Sequence, residues 1–247
     1  GINTPQFIGL KNYSKLASDK LFWNSLWFST KYSVVSVILI NAVGLALALL
    51  VTRNFRGKNT LRTMFFMPNL IGGLVLGFVW QFIFIDVFDF IGRKLGIKAL
   101  TGWLADPVTG FWGMIILAVW QMAAYVMIIY VAFIENVPQD LIEAAEIDGA
   151  TPFQKFRYVI FPLIAPAFTI CMFVTLSNGF KLFDQNLALT NGGPGNTTQM
   201  VALNIYQTAY SDSQMAYAQI KAVIFLIIVA SITLTQVYYN KKREVDV

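Results

Sequence analysis

Residues 111–134 read FWGMIILAVWQMAAYVMIIYVAFI, 24 residues without one Asp, Glu, Lys or Arg. As an α-helix rising about 1.5 Å per residue, this run is about 36 Å long, enough to cross the roughly 30 Å of hydrocarbon in a bilayer. A spanning strand would be about ten residues long and would alternate in polarity, so helix is the reading. Four more stretches of the same kind, 32–51, 65–85, 158–180 and 222–239, are equally free of charge. Composition agrees: 57% of the 247 residues are hydrophobic and 13% charged, whereas soluble domains carry about a quarter charged. The expected fold is an all-α polytopic membrane protein with five transmembrane helices in this chain.

The flanks set out the rest of the chain. Trp23 and Trp27 before the first stretch, Lys181 after the fourth, and Tyr238 and Tyr239 at the end of the fifth suit the membrane interface. Residues 1–31 read as an external segment with an interfacial helix, 32–239 as the transmembrane domain, 135–157 as a cytoplasmic loop and 240–247 as a cytoplasmic tail. The connections 52–64, 135–157 and 240–247 hold nine of the 18 Lys and Arg in about half the length of the other connecting segments. The run Arg53, Arg56, Lys58, Arg62 and the tail Lys241, Lys242, Arg243 carry most of that signal, which places the amino-terminal end of this chain outside and the carboxyl terminus inside. Five spans with an outer beginning, at a Gly1 that is not an initiator Met, lead us to expect a further span ahead of it, about six in the intact protein.

What is absent narrows the chemistry. With no His and one Cys, zinc sites, Cys–His pairs and Ser–His–Asp triads are unavailable, and Cys171 sits mid-span as a small apolar residue. No GxxxxGK[ST] loop or GxGxxG turn offers a nucleotide cradle. No catalytic residue, metal site or bound cofactor is therefore expected, and nothing points to nucleic acid. The charge-free spans also lack the carboxylates and His of proton relays and the Arg of voltage sensors. Energy for work must enter through a connection or another subunit.

One connection is unusual. Residues 143–165 read EAAEIDGATPFQKFRYVIFPLIA, a compact charged patch between two apolar runs. Pro138 suits the start of a short helix, Gly149 a left-handed end, and Pro152 prevents simple continuation. Asp140, Glu143 and Glu146 recur every three residues on one face, beside the small Ala144 and Ala145. Such a surface suits either a solvated loop helix or a groove in another protein.

Glu143-Ala144-Ala145, Asp148-Gly149-Ala150 and Ile160-Phe161-Pro162 resemble the EAA motif of permease subunits in binding-protein-dependent ABC importers, with Phe161 where that family has Leu. Phe7-Ile8-Gly9-Leu10-Lys11-Asn12-Tyr13 is similar to an external segment of sugar permeases. Leu189-Thr190-Asn191-Gly192-Gly193-Pro194-Gly195-Asn196-Thr197-Thr198 resembles an external loop of the maltose-permease-like first permease of two-permease systems. The resemblance implies a type I permease fold and a coupling helix near 138–150. In it Glu143, Ala144, Ala145, Asp148 and Gly149 dock an ATPase subunit, and Pro162 marks entry into the next span. It also implies a second homologous permease, two cytoplasmic ATPase subunits that hold ATP and Mg, an external solute-binding protein, a carbohydrate substrate and a bacterial cell (inner) membrane. The alternative is a self-sufficient secondary carrier or channel for a small polar solute.

Uncharged polar groups within spans either join helices or line a wet path. Asn41, Asn69, Gln81, Gln121, Tyr125, Ser177 and Asn178 are such groups, and 177–184 adds Lys181, Phe183 and Asp184 beside an aromatic-rich span end. Amides, hydroxyls and aromatic faces together suit a sugar. The substrate-path candidates are Gln121, Tyr125, Ser177, Asn178, Lys181, Phe183 and Asp184. Gly73 and Gly77 are spaced for close helix packing.

Overall fold

The computed structural model describes residues 9–53 and 56–242. The sequence expectations resting on Phe7, Ile8 and Arg243 lie outside these residues. Among the described residues all regular structure is helical: α1 Lys11–Ala17, α2 Lys20–Val51, α3 Lys58–Phe66, α4 Gly73–Leu95, α5 Pro107–Glu135, α6 Gln139–Ile147, α7 Pro152–Leu163, α8 Ala165–Phe180, α9 Asp184–Leu189, α10 Val201–Tyr206 and α11 Met215–Lys241. Four of them, α2, α4, α5 and α11, are long and apolar enough to cross a membrane, and α7 with α8 forms a fifth if the pair counts as one span bent by 70°.

Caps and prolines decide where these helices begin. Asp19 accepts a hydrogen bond from the Phe22 N–H (3.0 Å), so α2 starts before Trp23 and Trp27 rather than after them. Both tryptophans belong to one continuous 32-residue helix, and among the described residues the seven-residue α1 stands apart ahead of it. Asp106 accepts from the N–H groups of Val108 (2.8 Å) and Thr109 (3.1 Å), with Pro107 in the first turn of α5.

Besides the early start of α2, three further expected spans differ from the helices that form. The stretch 65–85 is not one helix: a 3₁₀ turn at Met67–Leu70, carrying Pro68, gives way to extended backbone at Ile71 and Gly72 before α4 begins. That helix then runs through a π-turn at Ile83–Val87 to Leu95 and so takes in Asp86 and Asp89. The stretch 158–180 breaks at Ile164. Pro166 lacks the N–H that would bond the carbonyl of Pro162, and its ring crowds that carbonyl. The last helix starts at Met215, seven residues before 222, and so takes in Lys221.

Small residues bring the helices together. Along α2, Ser25, Ser29, Ser33, Ser36, Gly44 and Ala48 are buried in a stripe facing α5, α8 and α10. A Cβ on Gly44 would lie 2.7 Å from Val126, and one on Gly179 would lie 3.2 Å from Ser33 Cα. Asn41 closes this core: its Nδ2 donates to Thr175 Oγ1 (3.0 Å), and its Oδ1 accepts from the Tyr130 hydroxyl (3.0 Å). Asn41 is thus a helix-joining group, as is Gln81, whose Nε2 donates to the Leu189 carbonyl (3.1 Å).

On the other side, α4 lies against α9 through its glycines. A Cβ on Gly73 would lie 3.2 Å from Asp184 Cβ, and one on Gly77 would lie 2.5 Å from Ala188 Cβ. Gly77→Ala should therefore lower stability by about 1–3 kcal/mol through overpacking, whereas Gly72→Ala, with nothing within 4 Å of a new Cβ, should leave it unchanged. Thermal unfolding of the detergent-solubilised variants checks this; equal midpoints would refute the close approach.

Candidate functional site

Two features stand apart from the packed bundle. The first is a cleft of about 320 Å³ between α2, α5, the end of α8 and the start of α9. Five of the seven substrate-path candidates line it: Gln121, Asn178, Lys181, Phe183 and Asp184. The α8–α9 connection does this by turning the chain across the end of the bundle, so that 178–184 covers the polar side of α5. Tyr125 and Ser177 are not among its lining residues. Tyr125 packs against the core, and the Ser177 carbonyl accepts the Lys181 N–H (3.3 Å). Asn69 also lies elsewhere, in the 3₁₀ turn before α4.

Sequence reading missed four polar lining groups, Tyr32, Ser36, Thr175 and Gln185, all buried. Gln185 falls one residue beyond the polar cluster that ended at Asp184, on a helix too short to show a period. Gln121 Nε2 donates to the Ile71 carbonyl at the broken entry to α4 (3.1 Å), and Gln121 Oε1 accepts from Gln185 Nε2. The cleft is thus lined by amides, three hydroxyl side chains, aromatic faces, one ammonium and one carboxylate.

The second feature is α6, none of whose residues is buried. Its end is a Schellman turn: the Ala150 N–H donates to the Ala145 carbonyl (2.9 Å) and the Gly149 N–H to the Glu146 carbonyl (3.0 Å). Gly149 has φ 75°, a conformation Gly adopts without cost, and a Cβ there would meet nothing within 4 Å. Glu143, Ala144, Asp148 and Gly149 are exposed and Ala145 half-buried. Leu141, Ile147 and Phe153 are exposed too, Ile147 by 86%. These side chains set apolar surface beyond the bundle. A Thr151–Gln154 capping box starts α7, and a Lys155–Glu146 ion pair holds α7 against α6. Pro162 lies within α7, two residues before its break with α8. Arg62 ties the base of the structure, pairing with Glu135 (2.5 Å) and donating to the Val51 carbonyl (3.1 Å).

The Gly-rich stretch after α9 is a packed turn. Asn191, Gly192, Gly195 and Asn196 have positive φ. Asn186 clamps the stretch by donating to the Thr198 carbonyl (2.8 Å) and accepting from the Met200 N–H (3.0 Å). Near it Lys221 is buried, 3% exposed, with its ammonium 2.9 Å from Asp19 Oδ2, 2.9 Å from Asn204 Oδ1 and 3.0 Å from Thr208 Oγ1. The expected span at 222–239 began one residue too late to include this charge.

A polytopic helical bundle with a polar cleft and a helix held out from its base defines the permease class of membrane transport proteins. Residues 40–245 match the binding-protein-dependent transport system inner membrane components, and the chain belongs to that family. It is 59% identical over 246 residues to the probable starch degradation products transport system permease protein AmyD of Thermoanaerobacterium thermosulfurigenes, covering 100% of this chain and 84% of that protein. It is 30% identical to the multiple sugar-binding transport system permease protein MsmF of Streptococcus mutans, covering 97% of this chain and 83% of that one. In fold it is similar to a chain of a bacterial ABC transporter involved in the import of the acidic polysaccharide alginate, with TM-score 0.86, 18% identity and coverage of 97% of this chain and 85% of that chain. The chain is a membrane-spanning permease subunit of a binding-protein-dependent importer, and the self-sufficient carrier is set aside.

Proposed function

We propose that this chain forms half of the path for a carbohydrate of the oligosaccharide class and couples it to ATP hydrolysis through α6. The observation that carries the reading is the convergence of Gln121, Asn178, Lys181, Phe183 and Asp184, far apart in sequence, on one cleft. Amide groups beside an aromatic face match the hydroxyls and the apolar face of a sugar ring, and the names of AmyD and MsmF support that class. A second, homologous permease completes the path, and an external solute-binding protein delivers the sugar. Two cytoplasmic ATPase subunits bind ATP and Mg, and one receives Glu143, Ala144, Ala145, Asp148 and Gly149 in a groove. Pro162, on α7, carries the movement of α6 toward the break with α8. The amino-terminal end of this chain lies outside and its carboxyl terminus in the cytoplasm of a bacterial cell (inner) membrane.

Affinity purification from detergent-solubilised native membranes tests the assembly. The wild-type chain should bring down a second permease and an ATPase subunit, with ATPase activity. Glu143→Lys, which reverses an exposed charge on α6, should retain the permease and lose the ATPase by about tenfold or more. Recovery of the ATPase in full with Glu143→Lys would remove Glu143 from the docking surface.

A further inference from the structure

Gln185 is 5% exposed and lines the cleft, yet its Oε1 is buried without a hydrogen-bond partner. Buried amide oxygens are nearly always paired, so an orphan on a residue that lines the cleft points to a donor that arrives with a ligand as the side chain uncovers it. The orientation of this amide is dictated by the chain. The Ile71 carbonyl can only accept, so it takes the Gln121 Nε2 donor (3.1 Å). Gln121 must then turn Oε1 toward Gln185, which answers with Nε2 and leaves its own Oε1 as the remaining acceptor. Flipping either amide would set oxygen against oxygen or nitrogen against nitrogen.

We infer that Gln185 is a specificity residue of the cleft, whose Oε1 accepts a hydrogen bond from one hydroxyl of a neutral sugar. An acceptor held in this way favours a hydroxyl donor and disfavours a carboxylate or phosphate oxygen, which would leave it unpaired beside another lone pair. The two charged residues of the lining, Lys181 and Asp184, have opposite signs. Their charges offset, and the buried oxygen sets the preference. Because the relay ends on the Ile71 carbonyl, the hydroxyl also makes contact, through two amides, with the break that precedes α4.

The inference rests on the carbohydrate reading, and the test separates the two. The complete importer, assembled with its partners in proteoliposomes, is assayed for ATP-driven uptake of a malto-oligosaccharide and of its monodeoxy analogues. In the wild type one deoxy position should raise KM by about tenfold, the scale of one lost hydrogen bond in a dry site. Gln185→Met keeps the side-chain length and removes the acceptor. It should raise KM for the parent sugar by a similar factor, leave kcat close to that of the wild type, and respond no further to that one deoxy position. A purely structural role would leave the pattern across the panel unchanged. If uptake proceeds but the wild-type panel is flat, or Gln185→Met discriminates as the wild type does, the inference is overturned alone. A flat wild-type panel overturns the inference even if the variant does not assemble, and a responsive panel counts for it only where Gln185→Met abolishes the response. If the assembled wild type imports no neutral sugar, the carbohydrate reading falls and the inference with it.

Discussion

Gly149→Arg should reduce uptake by about a hundredfold or more while the protein remains in the membrane at wild-type abundance. Three observations separate this outcome from simple misfolding. A Cβ at Gly149 meets nothing within 4 Å, so the new side chain projects away from its own bundle. None of the residues of α6 is buried, so strain there does not reach the core. The backbone at φ 75° costs a non-Gly residue about 1–2 kcal/mol, which loosens one Schellman turn. The large loss must then come from a partner surface held off by the guanidinium. Coupling free energies of about 1–3 kcal/mol correspond to factors of about 5–150, so separating the two surfaces removes essentially all of the coupling. Gly149→Asn is the discriminating control, since Asn tolerates the left-handed region and adds little bulk. It should keep uptake within about threefold of the wild type. ATP-driven uptake in proteoliposomes, normalised to membrane abundance, decides: wild-type uptake by Gly149→Arg would remove the docking role from this turn.

Much of this could be read from the residues because the signals were local. Charge-free runs located the long helices, since a hydrocarbon layer tolerates almost nothing else. The conformation of Gly149 followed from its place between Asp148 and Pro152. The breaks were harder to see. Pro68, Gly72 and Gly73 stand in a run as apolar as any other, and hydropathy does not register that Ile71 and Gly72 are extended. Pro162 was visible, but the bend at Ile164 depends equally on Pro166 four residues later. Gln121, Asn178 and Asp184 could be picked out as polar groups in apolar surroundings. That they share one cleft while Asn41 joins three helices depends on which way each helix turns, and residue type alone does not set that. Gln185 and Lys221 were missed for a shared reason: their meaning comes from partners far away in sequence, Gln121 for one and Asp19 for the other.

Asp19 and Lys221 should give the largest stability effects in the chain, and unequal ones. The Lys221 ammonium, its side chain 4% exposed, uses its three donors on Asp19, Asn204 and Thr208. Asp19, with its side chain 17% exposed, also accepts from the Tyr217 hydroxyl (2.7 Å) and the Phe22 N–H (3.0 Å). Together they fasten the α1–α2 joint to α10 and α11. Removing the carboxylate with Asp19→Ala leaves a buried ammonium without its counter-charge, and should cost about 3–5 kcal/mol. Lys221→Met removes the charge that is harder to bury and leaves Asp19 with two donors and access to water, so its cost should be about 1–2 kcal/mol. The double variant Asp19→Asn, Lys221→Met should be more stable than Asp19→Ala, because no unpaired charge remains. Acidity should act on the same tie. Burial raises the Asp19 carboxyl, but the Phe22 N–H, Tyr217, and the hydrogen bond and charge of Lys221 together outweigh it and hold the group below the usual carboxylate range. A depressed folded pKa means that the contribution is complete above the unfolded value of about 4 and is lost as pH falls through the folded value. Thermal midpoints of the detergent-solubilised wild type should therefore fall below about pH 4 more steeply than those of the double variant. Midpoints ordered with Lys221→Met below Asp19→Ala, or equal acid sensitivity in wild type and double variant, would show that this pair does not fasten the joint.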